Sequence, residues 1–133
     1  MIMTEELVTL ETAKLLKAAG FKEDVNSFYE LVYKGGSGPE YEIDESYDAQ
    51  NYNTDVYYIS APTQSIAQRW LRETKNLHIT IYNSASGYTY DISKADMGTV
   101  LYCFPKGPND AGNWDTYEEA LEAGIQKALK LII

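Results

Sequence analysis

The stretch LHITIYNSASGYTYDI, residues 77–92, decides the fold class. Leu77, Ile79 and Ile81 alternate with His78, Thr80 and Tyr82, the period-two pattern of a strand with one buried face. Ser84 to Gly87 supply a tight turn, and Tyr88, Tyr90 and Ile92 resume the alternation on the return. A hairpin is the expected result, which makes the sheet mainly antiparallel and the class α+β.

Working downstream, Thr99 to Phe104 is a further strand rich in β-formers, joined to the hairpin by a Lys94 to Gly98 connection. Cys103 shares the Leu101 face there and reads as a core thiol. Pro105, Gly107, Pro108 and Gly112 mark a loop, after which Asp115 with Glu118 offers a capping box for a last helix. Tyr117, Leu121, Ile125, Ala128 and Ile132 form its buried stripe. Ala120, Gly124 and Ala128 fall four apart and let its backbone come close to a neighbour, which is a possible dimer seam.

Upstream of the hairpin, a helix runs from about Pro62 to Lys75, with Ile66, Ala67, Trp70 and Leu71 on its apolar face and Asn76 as a left-handed stop. Its outer face gathers Arg69, Arg72 and Lys75. An earlier helix is capped by Thr9, buries Leu10, Ala13 and Leu16, and ends at Gly20 with Phe21 closing over Leu16. Ser27 to Lys34 is a strand whose Tyr29, Leu31 and Tyr33 face is expected to point inward, and Val56 to Ile59 is a short one. The expectation is one α+β domain over residues 1–133, with three helices, one mainly antiparallel sheet of four or five strands, and the order α-β-β-α-β-β-β-α.

Between these elements lies the most unusual composition. From Gly35 to Gln68 there is no Lys or Arg, while Glu40, Glu42, Asp44, Glu45, Asp48 and Asp55 are interleaved with Tyr41, Tyr47, Tyr52, Tyr57 and Tyr58. Residues 35–55 read as a long acidic loop with a mobile tip. Seven of the chain's 12 tyrosines lie between Tyr29 and Tyr58. Tyrosine gives large contact area at low entropic cost, so Tyr41, Asp44, Tyr47, Asp48, Tyr52 and Tyr57 are the candidate protein-binding surface.

Charge narrows the partners. Eleven basic against 20 acidic residues give a net charge of -9, which repels phosphate backbones and anionic lipid headgroups. Nucleic acid and membranes are disfavoured, and a cationic protein is favoured. No stretch approaches the roughly 20 apolar residues of a membrane span. Met1 to Val8 holds Glu5 and Glu6 where a secretion signal needs an apolar run, and a lone cysteine cannot form an internal disulfide, so a cytoplasmic protein is expected.

Chemistry is harder to place. The carboxylates of residues 40–55 do not follow the spacing of a calcium loop, and one His78 with one Cys103 cannot make a four-ligand zinc site. There is no nucleophile elbow and no phosphate-binding glycine loop. No catalytic, metal or cofactor-binding residue is assigned, and an accessory protein-binding domain is the first reading. A small enzyme with a site hidden in sequence is second, and a nucleic-acid binder through the helix near residues 62–75 is third.

Three stretches, LVTLETAKLLKAAGF, APTQSIAQRWLRETKNLHITI and WDTYEEALEAGIQKALKLI, resemble a group of short proteins of Bacteroides-type gut bacteria and their prophages. That group has no assigned activity, so the resemblance implies a phage-derived or mobile-element origin and no functional residues. The helix start DTYEEALEAG is also similar to one following the sheet of HicB-type antitoxins and of small phage-integrase DNA-binding modules. The strand and glycine pattern before the helix in those families is missing here, so the similarity is that of a helix beginning against a sheet.

Overall fold

A computed structural model describes residues 5–94 and 99–133. The connection expected after Lys94, residues 95–98, and the opening residues 1–4 lie outside them. The element order is α1 (Leu10–Ala18), β1 (Val25–Tyr33), β2 (Pro39–Gln50), β3 (Tyr58–Ser60), α2 (Gln64–Lys75), β4 (His78–Ser84), β5 (Gly87–Lys94), β6 (Thr99–Tyr102) and α3 (Tyr117–Ile132). The class is α+β with three helices. The single four- or five-stranded sheet is corrected to two antiparallel sheets of three strands each, ordered β2-β1-β3 and β4-β5-β6.

The helix ends follow local chemistry. Thr9 caps α1, and Gly20, at φ +94°, lets the Phe21 N–H reach the Leu16 carbonyl (2.9 Å) and the Gly20 N–H that of Lys17 (3.1 Å). Thr63 caps α2 and Asn76 ends it at φ 54°. In α3 the cap is Thr116 with Glu119, one residue beyond the expected Asp115 and Glu118, because the Thr116 hydroxyl accepts from the Glu119 N–H at 3.1 Å. Of the expected stripe, Leu121, Ile125 and Ala128 are buried, while Tyr117 and Ile132, the first and last residues of the helix, are exposed.

α3 is the central element. It packs on α1 and α2 with one side and on β4 and β5 with the other. Gly124 permits the second contact, since a Cβ there would lie 2.9 Å from Ile79 Cγ2 and 3.3 Å from the Tyr90 ring. Leu121, Ile125 and Leu129 join Ile79, Tyr90 and Ile92 in one core that continues through Leu16, Phe21, Trp70 and Leu71 to Phe28 and Tyr52.

Polar groups hold the helices in register. The Glu122 carboxylate of α3 accepts from the Thr9 N–H (3.0 Å), the Thr9 hydroxyl (3.0 Å), the buried Thr12 hydroxyl and the side-chain amide of buried Gln64 (2.9 Å). All three helices therefore meet at one side chain.

Candidate protein-binding surface

The acidic segment is not a loop. Residues 39–50 form β2, a twelve-residue edge strand paired antiparallel to β1. Directly opposed residues share a face, so the register divides the hairpin's side chains. One face carries Glu30, Glu40, Glu42 and Asp44 with Phe28 and Val32, and the other carries Tyr29, Leu31, Tyr33, Tyr41 and Ile43.

The acidic face is covered only at one end. There Tyr52 stacks on Phe28 (4.2 Å between ring centres), Tyr58 meets the same ring edge-on (5.2 Å), and the buried Ser60 hydroxyl accepts from the Tyr52 N–H at 3.1 Å. Beyond that cluster Glu40, Glu42 and Asp44 are exposed, with Glu30 standing directly opposite Glu42. Lys34 forms an ion pair with Glu42.

The other face packs on the α1 side of the molecule. The Tyr29 hydroxyl donates to the Val8 carbonyl (2.9 Å), and burial first, then the Glu122 charge, push its pKa up. The Lys14 ammonium sits 5.1 Å from the Tyr41 ring centre. Further out Tyr33 and Ile43 are 70% and 52% exposed, which leaves an apolar patch on the side opposite the acids. Leu31 is only half-buried, so the inner positions of β1 are Val25 and Phe28 rather than the expected Tyr29, Leu31 and Tyr33 set.

The predicted surface residues therefore separate. Tyr52 is a core residue, and Tyr41 is half-buried beneath Lys14. Asp44, Tyr47, Asp48 and Tyr57 are exposed. Tyr47 rides on a bulge in which four residues, Ser46 to Ala49, stand opposite Asn26 alone, and the Asn26 amide secures it by donating to the carbonyls of Ser46 (2.9 Å) and Tyr47 (3.3 Å). Glu40 and Glu42 are additional exposed residues, with half-buried Glu30 of β1 opposite Glu42. Their signal was the alternation Glu40-Tyr41-Glu42-Ile43-Asp44.

Two hollows lie elsewhere. One, of about 770 Å³, opens where α2 and α3 begin, and Glu5, Glu6, Glu118 and Glu119 line it together with Gln64, Ser65, Thr116, Tyr117 and Leu121. The other, of about 410 Å³, lies on the outer face of the second sheet between Tyr82, Asp91, Val100, Cys103 and Phe104. Cys103 is exposed, which corrects the core reading. The β6 strand ends one residue earlier, at Tyr102, and the chain turns there through Phe104 at φ 55°. In this hollow the Tyr82 hydroxyl is bonded to Asp91, which raises the Tyr82 pKa, while His78 bonds Asn76 at 3.2 Å rather than the thiol. Among the described residues no group of three or more His, Cys, Asp or Glu side chains is placed to hold a metal ion.

The basic face of α2 is partly engaged. Arg69 lies 3.6 Å from Glu23, and the Lys75 ammonium sits 5.6 Å from the Trp70 ring centre. No described helix is long and apolar enough to cross a membrane. Compared with protein-family models, with curated proteins and with solved structures, the chain matches none of them.

Proposed function

We propose that this chain is a protein-binding accessory domain whose contact surface is the acidic β1–β2 hairpin and whose partner is a basic protein. The observation that carries the reading is the sidedness of the hairpin: Glu30, Glu40, Glu42 and Asp44 on one face, Lys34 as the cation beside them, and Tyr47 held out on its bulge. Four carboxylates gathered on a sheet surface raise the local concentration of cationic partners and repel phosphate and lipid headgroups. An exposed tyrosine beside them supplies the contact area that charge alone lacks. A cytoplasmic setting and a mobile-element origin accompany this proposal, the exposed single thiol of Cys103 suiting a reducing compartment.

The test is capture of basic proteins by the wild type and by a Glu40→Lys, Glu42→Lys, Asp44→Lys triple variant, at low and at high salt. A protein retained by the wild type at low salt, and lost both at high salt and by the triple variant, supports the proposal. Equal retention by the triple variant would sink it.

A further inference from the structure

Resting on the hairpin reading just given, the geometry points to a mode of binding: a partner segment in extended conformation, alternating basic and apolar residues, adds as a new strand to the open edge of β2. The backbone directions fix which groups face that edge. On β1 the Leu31 N–H donates to the Tyr57 carbonyl (2.9 Å) and the Ser27 carbonyl accepts from the Ala61 N–H (2.9 Å), so its odd-numbered residues turn their backbone toward β3. Its even-numbered residues Phe28, Glu30 and Val32 then turn toward β2 and bond their opposites Asp44, Glu42 and Glu40. In an antiparallel strand the direction alternates, which leaves the N–H and C=O groups of Tyr41 and Ile43 pointing to the open side.

This edge is bounded. At one end Pro39 has no N–H to offer, and at the other the Glu45 N–H is taken by Asp44 Oδ1 at 2.8 Å, just before the bulge at Ser46 to Ala49 breaks the strand. Between them is a site about five residues long.

Side chains define the occupant. A strand laid antiparallel against Tyr41 and Ile43 places its alternate residues beside Glu40, Glu42 and Asp44 on one face and beside Tyr41 and Ile43 on the other. Lys or Arg suits the first set, and aliphatic or aromatic residues suit the second. A second copy of this chain does not fit, because edge-to-edge pairing of two β2 strands would bring like carboxylates face to face.

The probe is a seven-residue, end-capped peptide with Lys and Val alternating, titrated against the full chain and followed by the amide resonances of Tyr41 and Ile43. A second peptide carries N-methyl groups on the valines, which keeps every charge but removes the strand's donors. Ile43→Pro makes the same cut on the protein side, at an edge position where the lost N–H bonds nothing within the fold. Strand addition is expected to shift the Tyr41 and Ile43 amides, and to weaken at least tenfold both with the N-methylated peptide and with Ile43→Pro. Equal affinity for both peptides would overturn strand addition while leaving the acidic surface as the binding face. No binding of the Lys-Val peptide at millimolar concentration would overturn it too. Failure of the charge-reversal capture test, by contrast, would remove the underlying hairpin reading.

Discussion

Glu122 accepts hydrogen bonds from both the backbone N–H and the hydroxyl of Thr9, 113 residues away in the chain, each at 3.0 Å. The acid thereby satisfies a donor at the start of α1 that no residue of α1 itself reaches, as the glutamate of a capping box does, but from another helix. Glu122→Ala leaves the buried Thr12 hydroxyl without its acceptor and takes one of two acceptors from the Gln64 amide, which keeps the Glu118 carbonyl at 2.9 Å, and is expected to cost about 1 to 3 kcal/mol in urea unfolding. Glu122→Gln is expected to cost nearly as much, since its NH2 must face donors on one side or the other. Stability within about 0.5 kcal/mol of wild type in both variants would show that the hub is incidental.

Gly124→Ala sets two effects against each other. The helix gains about 1 kcal/mol of propensity, while the new methyl lies 2.9 Å from Ile79 Cγ2 in a closed core. Crowding wins if Ile79 cannot retreat, and a net loss of about 1 kcal/mol is expected. Combining it with Ile79→Ala is expected to cost less than the sum of the two single changes, which a double-mutant cycle reads directly.

Much of this architecture was legible in the sequence because local chemistry decides it. Thr9, Gly20 and Asn76 mark helix ends through backbone groups within a few residues, and the Ile79 to Ile92 alternation needs only its neighbours. β2 was not legible as a strand for a physical reason. Asp and Glu are poor β-formers, and an edge strand that buries almost nothing shows no apolar rhythm strong enough to outweigh them. Tyr52 misled in the opposite way: its acidic sequence neighbours mark a surface, yet a 3-10 turn at residues 52–54 folds its ring inward onto Phe28. The charge of the candidate site was therefore visible, and its sidedness was not.

Glu30 and Glu42 stand directly opposite one another, an arrangement that disfavours the hairpin. Glu30→Lys is expected to raise stability by about 0.2 to 1 kcal/mol and to weaken capture of a basic partner. Thermal unfolding and the capture assay on the same variant check both halves. A loss of stability would mean that the acids support the fold.

Burial, and then the neighbouring Tyr102, push the Tyr90 pKa up to about 12 from the ordinary value of 10.0. Between these values the unfolded chain gives up the tyrosine proton and the native protein keeps it. The stabilisation is fully present below pH 10 and is lost as pH rises toward 12. Tyr90→Phe is expected to flatten that fall in a pH series of unfolding midpoints, leaving a residual slope from Tyr29 and Tyr82, whose pKa values are also raised.

The two sheets use separate spans of chain, residues 25–60 and 78–102, the second pairing only strands consecutive in sequence and the first adding β3 back to β1. Short-range pairings of this kind close quickly during synthesis, as each span leaves the ribosome. α3 is different, because the stripe that joins the second sheet to α1 and α2 is made after both sheets. A nascent chain halted before Tyr117 would therefore lack the cover that α3 gives to Ile79 and Ile92 and would leave that apolar surface open until α3 arrived.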